Sequence, residues 1–513
     1  MPAVVVAVPS MPGAATMRPE PESSVPLDRL TAFTPLPPER NGIADYAAML
    51  LGALARHYDC EAACEDWLAD APPGIAVVDP ALAHRAIAGG DGRVLHQLGN
   101  NPGHGFVLEA LRRVPGVTTL HDPGLLHLRQ TAGATRDTLL AGLRDAPPAF
   151  ARYARGVAAE DRWSRADHLL FDMAGEVLAR SRAVVVHSRF ARNRLRALHG
   201  EAATAHVEVI PHLLPPFAAP PREEARARLG VPPDAFLVCT AGFATSAKRF
   251  DWLIEALEAV PAAHWVHAGA ERPEEFPLSA AIAERPALRG RARVAGYLSE
   301  AALTDHVAAA DALVNLRFPS AGESSGSLAR GFAAGVCCVV SDTGAYAELP
   351  RDAVLRVPLA GAAPALAEAL AALAAEPARA RAIGEAGRRF ASTEMALPAV
   401  ALRYRALIEA SRGRPVASRP AAPAKPVALA LALGPGLTAA AVARALGGVE
   451  GPCRLLLAAP DLVSLADLSL ERPGLLDGLL PPWAALRAIR VLDGPCAGLL
   501  LDVDAGQRGA RAA

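Results

Sequence analysis

The feature that most constrains the fold is a regular alternation along the chain between short apolar runs and Ala/Leu/Arg-rich segments of helical period. Five apolar runs occupy the first part of the chain: RLTAFTPL, IAVVD, RVLHQLG, GVTTLHD and AVVVHS. Five more follow in the middle: FLVCTAGF, HWVHAG, RVAGYL, ALVNLRF and CCVVSD. Strands that alternate with helices in sequence build βαβ units and parallel sheets. The pattern therefore predicts an α/β protein with two doubly wound sheets.

A Pro-rich break at 210–221, IPHLLPPFAAPP, separates the two series of runs. Proline ends helices and interrupts sheets, so we expect a domain boundary there. A chain of 513 residues also exceeds the size of one ordinary core. We predict a flexible leader 1–26, a Rossmann-like domain 27–214, a second Rossmann-like domain 215–392, a closing helix 393–412, a linker 413–426 and a short α/β-like extension 427–513 of unknown role.

The charge and the cysteine content indicate the setting in which the protein works. The 52 Lys plus Arg residues nearly balance the 53 Asp plus Glu residues, so no overall field favours nucleic acid, and at most a peripheral membrane contact is expected. Seven scattered cysteines do not suggest a disulfide framework. No apolar run reaches the ~20 residues of a spanning helix, and the first residues lack the basic region of a secretion signal. These observations predict a cytoplasmic protein.

Residues 315–350 form the most informative stretch, with the sequence NLRFPSAGESSGSLARGFAAGVCCVVSDTGAYAELP. The stretch predicts a strand, a turn of small residues, a helix and a second strand. Ser324, Ser325, Gly326 and Ser327 crowd the start of the helix. The first N–H groups of a helix have no partner inside it, and they lie at the positive end of the helix dipole. We therefore predict an anion site at this helix start, for which a diphosphate is the best candidate.

Glu323 lies at the mouth of the same turn. A carboxylate repels phosphate, so a functional Glu323 would bind other groups, such as sugar hydroxyls. The alternative interpretation of Glu323, Ser324 and Ser325 is helix capping, a common role for these residue types. This stretch alone leaves the two interpretations about equally supported.

A second cluster lies at 241–257, in the sequence AGFATSAKRFDWLIEAL. Lys248 and Arg249 follow a predicted strand that ends near Gly242, and they precede an amphipathic helix. Cations at the carboxyl edge of a parallel sheet are placed to bind phosphate in a cleft. A solvated Lys-Arg pair is the alternative, but positive charge at a helix start is unfavourable, which favours a functional role.

In their order along residues 27–412, these motifs resemble glycosyltransferase family 4, the retaining "group 1" enzymes with the GT-B fold. The resemblance implies two Rossmann-like domains that face a cleft. It implies that Lys248 binds phosphate and that Glu323 binds the donor sugar. Gly42 in PLPPERNGIADYAAML matches a glycine that approaches the donor diphosphate, and His121 in GVTTLHDPGLLHL matches a histidine near the transferred sugar. Taken alone, these two residues are as readily a turn glycine and a structural histidine.

The chain departs from the family pattern at two places. Phe243 replaces the Arg that often follows the family's glycine, and we expect Arg249 to compensate. The second Glu of the family's Glu-x7-Glu signature falls near Arg330 or Gly331, and neither accepts ribose hydrogen bonds as a carboxylate does. Tyr297 in VAGYLSEAAL matches a loop whose backbone meets the nucleobase. The resemblance therefore assigns Tyr297 and Arg330 to the nucleotide-binding region.

The resemblance implies transfer of a sugar from a nucleotide-sugar donor, with retention at the anomeric carbon and with neither a metal nor another cofactor. It also implies a saccharide or lipid-linked acceptor and a place in bacterial polysaccharide or glycoconjugate synthesis. A catalytically degenerate GT-B binding or scaffold protein is the main alternative, because the second Glu and the Arg are missing. A nicotinamide-dependent enzyme is disfavoured, because no Gly-x-Gly-x-x-Gly follows the first strand of either domain. The Asp-x-Asp in LDVDAG at 501–506 resembles a metal-binding motif, but it lies in the extension, far from the other motifs.

Overall fold

A computed structural model describes most of the chain. The described residues are 27–66, 68–87, 92–131, 162–164, 166–216, 219–416, 427–432, 437–447, 451–460, 478–492 and 497–505, with 139, 153, 156, 157 and 449 as isolated positions. The predicted leader and most of the predicted linker lie outside them. The chain divides into two compact units, residues 1–416 and 417–513.

The first unit begins with a seven-stranded parallel sheet in the order β3-β2-β1-β4-β5-β6-β7. Its strands are β1 (Arg29–Phe33), β2 (Asp59–Ala63), β3 (Ala76–Val78), β4 (Arg93–Leu98), β5 (Val117–Leu120), β6 (Ala183–Val186) and β7 (Val207–Val209). Its helices are α1 (Gly42–Leu54), α2 (Pro80–Ile87), α3 (Gly105–Arg113), α4 (Leu126–Thr131), α5 (Asp167–Leu170), α6 (Gly175–Arg180), α7 (Arg189–His199) and α8 (Glu201–Thr204). All five predicted strands are present, and β2 and β7 are additional.

A second parallel sheet in the same unit has the order β10-β9-β8-β11-β12-β13. Its strands are β8 (Phe236–Ala241), β9 (Ala263–Ala268), β10 (Ala292–Val294), β11 (Ala312–Asn315), β12 (Cys337–Ser341) and β13 (Leu355–Val357). Its helices are α9 (Arg222–Leu229), α10 (Phe250–Glu258), α11 (Leu278–Ala283), α12 (Glu300–Ala308), α13 (Gly326–Ala334), α14 (Ala362–Ala375) and α15 (Pro377–Glu394).

Both sheets are covered by apolar clusters on each face, as parallel strands require. The strand order reverses direction at β1 and β4 in the first sheet, and at β8 and β11 in the second. In open α/β sheets, ligands bind beyond the carboxyl ends of the strands at such a switch point. The loops after these four strands are therefore where a site is expected, and the predicted motifs lie in three of them.

The last helix of the first unit, α16 (Leu397–Ala410), returns to the first sheet. Val400, Ala401 and Ile408 join the apolar cluster that also contains the buried face of α1. The Tyr404 hydroxyl lies 3.0 Å from the Tyr46 hydroxyl of α1 and 3.0 Å from the Thr119 hydroxyl of β5. The segment predicted as one closing helix thus contains the end of α15, a break, and a helix that packs on the opposite domain.

The second unit is a four-stranded mixed sheet with one described helix, α17 (Ala439–Leu446). Its strands are β14 (Val427–Ala432), β15 (Gly451–Ala459), β16 (Ala484–Leu492) and β17 (Ala497–Ala505). β14 pairs with β15 in parallel, whereas β17 pairs antiparallel with both β15 and β16. The Asp-x-Asp sequence lies on β17. Among the described helices of the whole chain, none has the length and hydropathy needed to cross a bilayer.

Candidate functional site at the carboxyl edges of the two sheets

A cavity of about 520 Å³ lies between the carboxyl edges of the two sheets. Loops after β1, β4, β5 and β7 form one side, and loops after β8, β9 and β11 form the other. Its lining includes Gly42, His121, Ser324 and Gly326. Four of the residues predicted from sequence, which are up to 284 positions apart in the chain by subtraction, therefore meet at one cavity.

The helix α13 begins beside this cavity, as the sequence predicts. The Ser325 hydroxyl accepts the Leu328 N–H at 3.2 Å and also receives the Asn315 amide at 2.8 Å. Ser325 is therefore the N-cap of the helix, which was the alternative interpretation for this residue. Gly326 and Ser327 occupy the first two helical positions, where N–H groups have no carbonyl partner within the helix. Their amides remain available for an anion.

Lys248 and Ser327 converge at the carboxyl end of β8. The Lys248 Nζ donates to the Ala241 carbonyl at 2.5 Å, and the Ser327 hydroxyl donates to the same carbonyl at 3.2 Å. Gly242 has a positive φ of 81°, and a Cβ there would lie 2.9 Å from the Lys248 Nζ and 3.2 Å from the Ser327 Oγ. Glycine therefore lets both side chains approach the turn.

Burial lowers the pKa of Lys248, and the nearby guanidinium groups of Arg317 and Arg272 act in the same direction; together they bring it to about 7. Arg272 was not predicted from sequence. It follows β9, lines the cavity, and its guanidinium carbon lies 4.4 Å from the centre of the Phe243 ring. Phe243, which replaces the family's Arg, therefore has the guanidinium of Arg272 above its ring. No local signal in the sequence indicates this contact.

Arg249 has a different environment from the one expected. It has φ of 52°, its guanidinium pairs with Asp251, and it lies 4.1 Å from the Trp252 ring centre. Arg249 does not belong to the lining of the cavity described here. The left-handed turn at Arg249 directs its side chain to the first turn of α10, so in this conformation Arg249 does not compensate for Phe243.

Glu323 is held by its own loop. Its Oε2 accepts the Ala321 N–H at 2.8 Å and the Ser320 hydroxyl at 3.2 Å, and its Oε1 accepts from the Arg317 guanidinium at 3.3 Å. The side chain is 18% exposed. The carboxylate therefore organises the loop before α13, and its predicted contact with the donor sugar stays a prediction.

His121 belongs to a buried cluster of aromatic side chains at the first sheet. Its Nδ1 lies 3.1 Å from the His187 Nε2, and its Nε2 lies 2.7 Å from the side-chain oxygen of Gln97. The Tyr46 ring packs edge-on against His121 at 4.7 Å. Burial lowers the pKa of His121, and it lowers the pKa of His187 to about 4. Both rings are therefore neutral at pH 7.

The hydrogen-bond directions in this cluster follow from that neutrality. The His187 Nδ1 lies 2.9 Å from the Ile210 carbonyl, which only accepts, so His187 carries its proton on Nδ1. The His187 Nε2 then accepts from the His121 Nδ1–H, and the His121 Nε2 must accept as well. Gln97 can donate to the His121 Nε2 only if the Gln97 side-chain amide is rotated by half a turn. This rotation also gives the Gln97 Nε2 a hydrogen-bond partner, which it otherwise lacks.

The two residues predicted to bind the nucleotide, Tyr297 and Arg330, lie at the rim of the cleft, where the two domains meet. Tyr297 is 54% exposed, and the Arg40 guanidinium carbon of the first domain lies 4.5 Å from its ring centre. Arg330 forms a bidentate ion pair with Glu300, at 3.1 and 2.8 Å. Burial raises the pKa of Asp45 on α1, while Arg330 lowers it, so Arg330 also faces the first domain.

The position expected for the second signature Glu does not face the cavity. A Cβ at Gly331 would lie 2.5 Å from the Leu313 Cδ2 and 2.7 Å from the Cys338 Sγ, so no larger residue fits there without movement. The charged residue near this position is Arg330, one position earlier. Its charge is positive, whereas the charge of the glutamate in the family pattern is negative. In the described part of the chain, no three His, Cys, Asp or Glu side chains are grouped as a metal site would require.

Comparisons with known proteins bear on this geometry. Residues 235–376, which contain the second sheet, Lys248 and the start of α13, match the family described as glycosyl transferases group 1. Residues 235–376 are thus similar to this family. The match covers the side of the cavity that the second sheet forms, and no curated protein matches the chain by sequence.

The architecture of this chain is also similar to that of solved structures. Sucrose-phosphate synthase from Thermosynechococcus elongatus is 19% identical, with a TM-score of 0.54 over 75% of this chain and 100% of that one. HepE from Anabaena in complex with UDP and glucose is 13% identical, with a TM-score of 0.54 over 75% and 100%. The catalytic domain of starch synthase IV from Arabidopsis thaliana, bound to ADP and acarbose, is 13% identical, with a TM-score of 0.53 over 76% and 100%. These likenesses confirm the predicted GT-B fold of two Rossmann-like domains.

Proposed function

We propose that this protein transfers a sugar from a nucleotide-sugar donor, with the donor diphosphate bound at the start of α13. The observation that carries the proposal is the convergence of Lys248, Ser327 and the free N–H groups of α13 on one end of β8, within a group 1 glycosyltransferase domain. HepE binds UDP and glucose, and starch synthase IV binds ADP, which supports a nucleotide-linked donor for a chain of the same fold.

The diphosphate would receive positive charge from three sources. The α13 N–H groups bring the positive end of a helix dipole. Lys248 is poorly solvated, so an arriving phosphate would restore its proton and gain a strong ion pair. Arg272, which lies over Phe243, would take the place of the missing family Arg. Because these groups are preorganised, they would stabilise the leaving diphosphate as negative charge develops on it.

The finer points of the proposal rest on the family. Retention at the anomeric carbon and independence of metal are proposed from the group 1 match, with the cationic groups above in the role that a metal has elsewhere. The acceptor is proposed to be a saccharide or a lipid-linked saccharide. His121 and Glu323 stay predicted to act at the sugar, and polysaccharide or glycoconjugate synthesis is the proposed role.

A non-catalytic GT-B protein is the second candidate, and the Arg330–Glu300 pair is the observation that favours it. In the family pattern a carboxylate near this position holds the ribose, whereas here an arginine is already paired. A protein that binds nucleotide without turnover would show the same affinity for the nucleotide and no hydrolysis or transfer of the sugar.

The test is isothermal titration of the full chain with UDP, GDP, ADP and dTDP, and with a sugar conjugate of each, without added metal. We expect micromolar binding of one nucleotide series, and Arg272→Met should weaken it about tenfold, because a charge-assisted hydrogen bond contributes ~1.5–3 kcal/mol. Arg249→Met is the matched control and should bind as the wild type does, since Arg249 is paired with Asp251.

Binding of no nucleotide by the wild type would remove the proposal. Equal losses in the Arg272 and Arg249 variants would show that the local charge matters and the position does not. Release of free sugar or of a transfer product from the bound conjugate would separate the enzyme from the non-catalytic candidate.

A further inference from the structure

The sugar end of the proposed donor site needs polar groups that can hold hydroxyls, and Glu323 has little capacity left for this. Three donors already occupy its two oxygens: the Ala321 N–H, the Ser320 hydroxyl and the Arg317 guanidinium. A carboxylate accepts about four hydrogen bonds, so Glu323 has at most about one position left for a ligand.

Asp122 has the free capacity that Glu323 lacks. It follows β5 directly after His121 and lines the cavity, where it is half-buried. Its Oδ2 accepts the Asn100 N–H at 2.8 Å, and the Asn100 side chain in turn accepts the Leu128 N–H at 2.9 Å. These bonds hold the carboxylate in place. Within the described part of the chain, Oδ1 of Asp122 has no hydrogen-bond partner.

Asp122 faces the loop after β11 of the second domain, as the charged groups that act on it show. Glu323 and Arg317, both on the loop after β11, are the charged groups that act on Asp122 from the second domain. From the first domain, His121 is adjacent, and His104 lies beyond Gly99, where a Cβ would be 3.1 Å from the His104 Nε2 and 3.4 Å from the Asp122 Oδ2. Burial lowers the pKa of His104 to about 4, so both histidines are neutral at pH 7.

Burial also raises the pKa of Asp122 and the Glu323 carboxylate adds to the rise, while the Asn100 N–H and Arg317 oppose it; together they give a pKa of about 6. The carboxylate is therefore ionised at pH 7 and becomes neutral as the pH falls below about 6. An ionised carboxylate only accepts hydrogen bonds. It would repel the diphosphate and bind a hydroxyl. The donor carries hydroxyls on the transferred sugar and on the ribose, and the residues predicted to contact the nucleotide, Tyr297 and Arg330, lie at the rim, which leaves the sugar for Asp122.

We infer that Asp122, through its free Oδ1, binds a hydroxyl group of the transferred sugar; the predicted sugar contact of Glu323 is then secondary to its role in holding the loop that shapes the diphosphate site. This inference rests on the proposed function, since it places the sugar beside a diphosphate at α13. It assigns sugar recognition to the first domain and phosphate recognition to the second, so the donor would bridge the cleft.

The experiment compares the affinities of the full chain for UDP and for UDP-glucose, or for whichever pair of nucleotide and nucleotide-sugar the wild type binds, at several pH values. In Asp122→Asn the side chain can still accept the Asn100 N–H, so the variant should fold. We expect the affinity for the nucleotide-sugar to fall about tenfold or more, as the loss of a charge-assisted hydrogen bond predicts, and the affinity for the nucleotide to change less than about twofold. Glu323→Gln should weaken both ligands alike, because it loosens the shared loop.

The pH dependence of binding by the wild type gives a second test, with Asp122→Asn as the comparison. Wild type should lose its extra affinity for the nucleotide-sugar, relative to the nucleotide, as the pH falls through about 6, and Asp122→Asn should show no such step. The inference is overturned if the Asp122 variant binds both ligands as wild type does, or if the sugar-specific loss appears in Glu323→Gln instead. If wild type binds no nucleotide at all, the proposed function fails first and the inference fails with it.

Discussion

Replacement of Lys248 by methionine is expected to raise the stability of the protein in the absence of nucleotide. The lysine is charged in the unfolded chain, but burial and two neighbouring guanidinium groups lower its pKa from 10.5 to about 7 in the fold. By linkage, this fall corresponds to a cost of about 4 kcal/mol at pH 7. Lys248 keeps partial access to solvent, which reduces the cost to about 2 kcal/mol. The Ala241 carbonyl keeps a partner in the variant, because the Ser327 hydroxyl also donates to it.

The sign of the pH dependence follows from the same shift. Between pH 7 and 10.5 the unfolded chain binds more protons at Lys248 than the folded protein does, so wild type gains stability as the pH rises through this window. Lys248→Met lacks this group. Its advantage over wild type should therefore be largest at or below pH 7 and should fall to about a third by pH 9.5.

The assay is thermal unfolding of both proteins followed by circular dichroism at pH 6, 7, 8.5 and 9.5, with and without the preferred nucleotide. A gain of about 2 kcal/mol in a domain of this size corresponds to a midpoint about 4–8 °C higher for Lys248→Met at pH 7. With saturating nucleotide the order should reverse, since wild type gains more binding energy than a variant that lacks the Lys248 ion pair. By this reasoning, burial of the Lys248 side chain destabilises the folded protein. That conclusion would be refuted if the variant were less stable than wild type at pH 7, or if the difference in stability did not depend on pH.

Two further predictions concern the fold and one concerns the nucleotide. Gly331→Ala should lower the free energy of unfolding by about 1–3 kcal/mol, because its Cβ would press on the sheet beneath α13. Gly42→Ala is the control and should not destabilise the protein, because no atom lies within 4 Å of the added Cβ. Urea titration measures both variants. Tyr404→Phe should cost about 1 kcal/mol in the same assay, because the buried Tyr46 hydroxyl loses a partner, and an unchanged midpoint would contradict this. Nucleotide binding near pH 7.5 should take up a proton on Lys248, seen as a binding enthalpy that varies with the ionisation enthalpy of the buffer and is constant in Lys248→Met.

Much of the fold could be predicted because it depends on patterns within short segments. Alternating apolar runs identified ten of the thirteen strands in the first unit by their positions. The three missed strands contain charged residues that interrupt an apolar run: Asp59 and Glu61 in β2, Glu208 in β7 and Arg356 in β13. A glycine and serine cluster before a helix likewise predicted the free N–H groups of α13, since the start of a helix is a local property.

The sequence by itself therefore determined the two doubly wound sheets, the start of α13 with its free N–H groups and the placement of Lys248 at the end of β8. Only the tertiary structure decided which side chains face the cavity. Arg249 turns to Asp251, Arg272 reaches Phe243 from another loop, and Asp122 lies opposite Glu323. Strand periodicity and helix starts arise from neighbours along the chain, whereas these contacts join loops from different strands, and their geometry exists only once both sheets have formed.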